Sequence, residues 1–236
     1  MHRFFLPDFQ KPVLSAEEAH HALHVLRVKA GDTVSAFDGR GHEAQCKVIE
    51  AGKEAVRLSM LQQSCTSPLS CRFTLAQAIP KKNMDLIVQK ATELGVAEVY
   101  PLLSERTVVK LGGEAGKLER WREIALESCK QCGNNWLPEI HAAQKASEFL
   151  NALPKVDLRL IASLQPDAKP LKRLLPEKRP ASVLILIGPE GDFTPAELSA
   201  AKSARCLPVS LGPLVLRADT AALYALSILH HELQNG

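Results

Sequence analysis

The spacing of hydrophobic and polar positions changes character near residue 70. Before that point, Ser15-Ala16-Glu17-Glu18 carries the Ser-x-x-Glu spacing of a capping box. Ala19, Ala22, Leu23 and Leu26 then supply the apolar stripe of a short helix over 15–27. Alternation follows: Val34 and Ala36 run into Asp38-Gly39, a hairpin signal, and the chain returns through Ala44, Cys46 and Val48, with a further strand over 55–61. One helix and several short strands predict a small barrel-like β domain. Ser64-Cys65-Thr66-Ser67-Pro68-Leu69-Ser70 then breaks both periods with small polar residues and a proline, the composition of a linker. The expected domains are therefore 1–70 and 71–236.

From Phe73 onward, strand-like runs alternate with helical periodicity, which predicts an α/β domain with a mainly parallel sheet. Residues 73–78 read as a strand. Asn83 is placed as the N-cap of a helix whose apolar positions are Met84, Ile87, Ala91 and Leu94, and Gly95 ends it. A strand over 96–102, a long helix over 114–132 and a strand over 158–164 follow. Residues 183–187 form the most hydrophobic strand, as expected for one covered on both faces.

Composition narrows the class without naming a function. Hydrophobic residues make up 46% of the 236, enough for a substantial core. Neither the N-terminal stretch, interrupted by Pro7 and Asp8, nor any later run predicts a signal peptide or membrane helix, so a cytoplasmic protein with reduced thiols is expected. Cys129-x-x-Cys132 has metal or redox spacing, and His20, His21 and His24 are close together, but nothing completes either set, so no metal is expected. The net charge of +3 is too small to announce a polyanionic partner. Any RNA binding must come from local groups such as Arg27-Val28-Lys29 and Lys81-Lys82, which also read as ordinary solvated faces.

The chemistry is expected where two strands end in glycine loops. Strand 183–187 leads into Gly188-Pro189-Glu190-Gly191, and Thr194-Pro195-Ala196-Glu197 then carries the N-cap, proline and glutamate of a helix start. A strand over 208–211 ends in Gly212-Pro213 and passes through Leu214, Val215, Leu216, Arg217, Ala218, Asp219 and Thr220 into an apolar helix from Ala221. Ligands of open α/β sheets bind beyond the carboxyl ends of strands, where glycine lets backbone approach closely. Arg217 and Asp219 read equally as an ion pair at a helix entry. Neither loop is a dinucleotide fingerprint or a phosphate loop, which argues against nicotinamide and nucleotide-hydrolysing chemistry.

Arg3-Phe4-Phe5, His20-His21-Ala22-Leu23-His24-Val25-Leu26-Arg27, Asp38-Gly39, Gln89-Lys90-Ala91-Thr92-Glu93-Leu94-Gly95-Val96, Ile187-Gly188-Pro189-Glu190-Gly191 and Leu211-Gly212 through Leu216-Arg217 to Thr220-Ala221 occur in that order. In these blocks the chain resembles the bacterial 16S rRNA (uracil-N3)-methyltransferases, a SPOUT family with an N-terminal PUA-like domain. It departs from them at Asp192, where a third glycine is common, at Pro213 and Val215, at Ala218-Asp219 in place of Thr-Glu, and at Lys130 and Asn134 in place of glutamate and arginine.

The resemblance implies an α/β SPOUT domain with a deep trefoil knot beside a PUA-like β-barrel, a homodimer, and methyl transfer from S-adenosylmethionine to a uridine in the decoding region of 16S rRNA. It implies Leu164, Gly188, Glu190, Gly191, Leu211, Gly212, Leu216, Thr220 and Ala221 as cofactor-binding residues. Arg217 and Glu190 are the implied catalytic groups, and Arg3, Arg27, Lys29, Arg40 and Lys81 the implied RNA contacts. Two rivals stand beside this reading: a related enzyme acting on another RNA, and a non-catalytic RNA-binding assembly factor.

Overall fold

The computed structural model describes residues 1–52, 55–107, 114–175 and 177–234. The chain forms two compact units, Met1–Pro68 with Leu126–Leu137, and Leu69–Ala125 with Pro138–Gly236. A boundary at 70/71 would assign 126–137 to the second domain; in space this segment packs with the first unit.

The first unit is a four-stranded sheet in the order β1 (Arg3–Phe5), β2 (Thr33–Phe37), β3 (His42–Ala51), β4 (Val56–Cys65). β1 runs parallel to β2 and the other pairs are antiparallel. Ser64 and Cys65, placed in the linker by composition, continue β4. The alternation of β3 buries Ala44, Cys46 and Val48 against Phe4, Val34 and Leu58. The expected 15–27 helix is an α-helical turn, α1 (Ala16–His20), followed by π-helical residues His21–Val25.

Ser15 Oγ accepts the Glu18 backbone N–H at 3.2 Å, but the return half of the capping box is missing, because the Glu18 side chain turns inward to pair with Lys130. Both side chains are under 10% exposed, and Lys130 also meets Glu127 at 2.7 Å. Burial alone would depress the Lys130 ammonium, but its bonds to Glu127 and Glu18 outweigh that and hold it above the usual lysine value. The Asn134 carbonyl accepts from Arg3, and the Asn134 side chain accepts the Trp136 N–H. Both departures from the family pattern in this segment are therefore parts of the first unit's own packing.

The second unit contains β5 (Arg72–Ala78), α2 (Met84–Glu93), β6 (Glu98–Leu103), α3 (Glu114–Cys132, whose end enters the first unit), β7 (Glu139–Ile140), β8 (Gln144–Lys145) and α4 (Ala146–Asn151). It continues with β9 (Leu158–Ala162), β10 (Lys169–Pro170), α5 (Leu171–Leu174), β11 (Ser182–Ile187), α6 (Pro195–Ser203), β12 (Leu207–Ser210) and α7 (Ala218–Gln234). The sheet order is β10-β12-β9-β11-β5-β6-β7, with β8 also on β6, and these pairings are parallel.

The apolar run of β11 lies at the centre, with 183–187 no more than 1% exposed. Helix α2 ends as expected: Gly95 has φ +76 and the Val96 N–H returns to the Ala91 carbonyl. Among the described residues no helix is long and apolar enough to cross a membrane.

Candidate functional site

Because β12, β9 and β11 are parallel neighbours, their carboxyl ends lie along one sheet edge. The loops that leave them, 163–165 after β9, 188–192 after β11 and 211–216 after β12, surround a cavity of about 280 Å³. Its walls mix the polar Ser163, Gln165 and Ser210 with the apolar Leu211, Leu214 and Val215. Leu214 and Val215 are 74% and 76% exposed, a strongly apolar lip that no element among the described residues covers.

Two glycines shape this wall for different reasons. Gly212 has φ +121, a conformation that favours glycine whatever the space, and nothing lies within 4 Å of a Cβ placed there. At Gly188 the backbone angle is ordinary but the space is tight: a Cβ would come within 3.3 Å of Phe193 and Asp192 Oδ1. Beyond this loop Thr194 and Glu197 complete a reciprocal capping box at the start of α6, as the sequence predicted.

Neighbouring strands buttress these loops. β5 lies beside β11 in the register Gln77 to Ile187, so the loops leaving both strands meet. There the Lys81 N–H donates to Glu190 Oε1 at 2.9 Å. Arg106, beyond β6, donates to the Gly191 carbonyl at 2.5 Å, and its Cδ would sit 3.4 Å from a Cβ on Gly191. Asn83 Nδ2 donates to Asp219 Oδ2 at 2.7 Å on the first turn of α7.

Of the expected cofactor residues, Leu164, Gly188, Glu190, Leu211, Gly212, Leu216 and Ala221 line the cavity. Gly191 and Thr220 do not: Gly191 is occupied by Arg106, and the Thr220 N–H is turned to Asp219 Oδ1 at 2.7 Å. Arg217 is exposed just before α7, outside the lining, with its carbonyl accepting the Ala221 N–H. Ser163, Gln165, Ser210 and Arg106 were missed. Ser163 and Gln165 flank the expected Leu164 and Ser210 precedes the expected Leu211, whereas Arg106 reaches this edge only through the strand order, which no local motif encodes.

Among the expected RNA contacts, Arg3 has its charge already paired. Its side chain is only 10% exposed, bonded to Glu43 at 2.7 Å and Asn135 at 2.5 Å, with its guanidinium 4.3 Å from the centre of the Phe37 ring. That charge is consumed inside the first unit. Arg27, Lys29 and Lys81 are exposed, while Arg40, 70% exposed, donates to the Pro7 carbonyl. Cys129 is buried, with its thiol pushed up to about 12 by burial, and Cys132 is exposed.

The rings of His20 and His24 sit 4.5 Å apart. A carboxylate and imidazole group that the sequence did not suggest, Glu98, Glu139 and His141, is already knit together: Glu98 takes two bonds from Arg72, one from Tyr100 and one shared with His141.

The fold and this edge define a two-unit protein whose α/β part carries a ligand-sized cavity at the carboxyl ends of three neighbouring parallel strands. A family model of an RNA methyltransferase domain matches residues 67–230, and one of an RNA methyltransferase PUA domain matches 14–61. The chain is 30% identical to the ribosomal RNA small subunit methyltransferase E of Bacillus subtilis, covering 94% of this chain and 90% of that protein. It is 32% identical to the protein of the same name from Synechocystis sp., covering 94% and 73%.

Among solved structures, a putative methyltransferase from Legionella pneumophila in complex with bound SAM superposes with a TM-score of 0.90 at 33% identity, covering 98% of each chain. The ribosomal RNA small subunit methyltransferase E of Neisseria gonorrhoeae, bound to S-adenosyl methionine, gives 0.89 at 30%, again covering 98% of each. The chain belongs to the RNA methyltransferase family of the ribosomal RNA small subunit methyltransferases E.

Proposed function

We propose that the protein transfers a methyl group from S-adenosylmethionine to N3 of a uridine in the decoding region of 16S rRNA, in the small ribosomal subunit. The observation that carries this reading is the convergence of three loops from adjacent parallel strands on one cavity, beside an exposed arginine. The residues suit this cofactor. Gly188 and Gly212 let backbone approach it, Leu211 and Leu216 offer apolar contact for an adenine, and Ser163, Ser210 and Gln165 offer polar partners.

The cofactor supplies an electrophilic methyl on a sulfonium. The protein's part is alignment and charge. Arg217 at the entry of α7 stabilises negative charge developing on the uracil oxygens as N3 loses its proton. Glu190 lines the cavity with Oε1 taken by the Lys81 N–H, so it holds its loop, and Oε2 is the oxygen that can accept a proton. N3 lies on the pairing edge of uracil, so the target must be unpaired when it enters.

Lys81 at this edge and Arg27, Lys29 and Arg40 on the first unit are assigned to RNA phosphates. The reading includes a trefoil knot, supported by the placing of β11 between β9 and β5 with β12 on the far side of β9. It also includes a homodimer, supported by the uncovered Leu214 and Val215; a monomeric mass in solution at working concentration would remove it.

The deciding experiment is transfer of labelled methyl to unmodified small subunits, followed by nucleoside analysis. N3-methyluridine is expected. Another methylated nucleoside, or no transfer despite cofactor binding, would overturn the assigned substrate.

A further inference from the structure

Asn83 breaks a local rule. It occupies the N-cap of α2, where the backbone is ordinarily extended and a side-chain oxygen accepts an N–H of the first turn. Here it has φ 70 and ψ 15, and its side chain makes no capping bond. Asparagine tolerates this left-handed conformation better than most residues, but a helix that forgoes its cap loses about 1 kcal/mol. Such departures mark places where a side chain is used for something else. In this case its amide donates to Asp219, two residues beyond Arg217.

The same short turn makes a second connection. Two residues earlier the Lys81 N–H holds Glu190, in the loop after β11. Segment 80–83 therefore reaches both glycine loops: one through a backbone donor, and the far end of the other through the Asn83 side chain. Neither residue lines the cavity. The Asn83 bond, followed by the Thr220 N–H and the nearby Arg217 charge, holds the Asp219 carboxyl below the usual aspartate range, so it is an anionic acceptor at neutral pH.

The geometry points to Asn83 as a positioning residue: with Asp219 it braces the 211–217 loop against the β5–α2 turn and so sets where Arg217 stands relative to the cavity. This rests on the functional reading above for its catalytic consequence, but the brace itself is a property of the fold.

The test is a charge swap. Asn83→Asp retains a residue type that tolerates the left-handed backbone but sets two carboxylates against each other. Asn83→Asp with Asp219→Asn restores a donor and acceptor pair in reverse. Methyl transfer to small subunits by Asn83→Asp should fall about ten- to a hundredfold, as for a misplaced catalytic group, with both kcat and cofactor affinity reduced. Its Tm should stay within about 2 °C, because the pair is exposed. The swap should recover to within about threefold of wild type, the residual non-additivity of a restored pair.

A second readout is independent of any substrate: tryptic cleavage after Arg217, followed by mass spectrometry, should accelerate in Asn83→Asp and return to the wild-type rate in the swap. Equal cleavage rates in all three proteins, or a swap no better than Asn83→Asp in both assays, would overturn the brace. If wild type bound no S-adenosylmethionine while the cleavage pattern followed the swap, the brace would stand and the functional reading would fall.

Discussion

Gly212→Ala isolates the contribution of one backbone angle to cofactor binding. At φ +121 an L residue is strained by about 1–3 kcal/mol. Nothing lies within 4 Å of the added Cβ, so no clash adds to that figure and none disrupts the core. The loop can escape the strain by leaving its conformation, and rebuilding it around the cofactor then costs the same free energy. At 1.4 kcal/mol per factor of ten, affinity for S-adenosylmethionine should fall about 5- to 150-fold. Global stability should change little, because Gly212 lies in an exposed loop that can leave the strained conformation without disturbing the core. Isothermal titration against S-adenosylmethionine reads the affinity and a thermal melt supplies the control. Wild-type affinity in a folded Gly212→Ala protein would refute the assignment of this loop to the cofactor.

The remaining predictions concern charge and thiols. Lys130→Met leaves Glu18 buried without its ammonium and should destabilise the first unit by about 3–5 kcal/mol, most of it recovered when Glu18→Leu is added. Burial already lifts the Glu18 carboxyl, so Lys130→Met should regain stability as pH falls and Glu18 takes up a proton; a melt insensitive to acid would contradict this. In wild type the Lys130 contribution is complete below the unfolded value of 10.5 and is lost as pH rises through the higher folded value, so a Tm decline above pH 10.5 should be weaker in the variant. Arg217→Ala should bind cofactor normally and lose about a hundredfold or more in kcat; retained turnover would remove Arg217 from the mechanism. Iodoacetamide at pH 8 should quickly modify Cys65 and Cys132, which are exposed, and spare Cys46, Cys71, Cys129 and Cys206, whose thiols burial pushes up to about 11 or 12; peptide mapping checks this.

What the sequence made legible was local or covalently continuous. The period of β11, the Thr194 capping box and the Gly95 helix end each depend on a few adjacent residues, and each appears as read. The cavity was legible in part for the same reason, since Gly188 and Gly212 announce themselves as loops after strands. Hidden were the features created by strand order. Nothing near Ser163 says that β9 lies between β11 and β12, so its loop could not be counted as a wall from spacing alone. Nothing near Arg106 or Lys81 says that they reach the loop after β11.

Arg3 shows how much of a cation's surroundings lies far away in sequence. The resemblance placed Arg3 among the RNA contacts, and nothing near it in sequence announces Glu43, 40 residues on, or Asn135, 132 residues on. Lys130 is the same case reversed. In sequence it is only a departure from a family pattern, yet it neutralises Glu18, the residue that a capping box would have turned back onto its own helix. A charge buried far from its partner in sequence is silent until the fold closes. Functional cations are therefore better sought among those the fold leaves exposed at the strand ends, and Lys81 and Arg217 meet that condition where Arg3 does not.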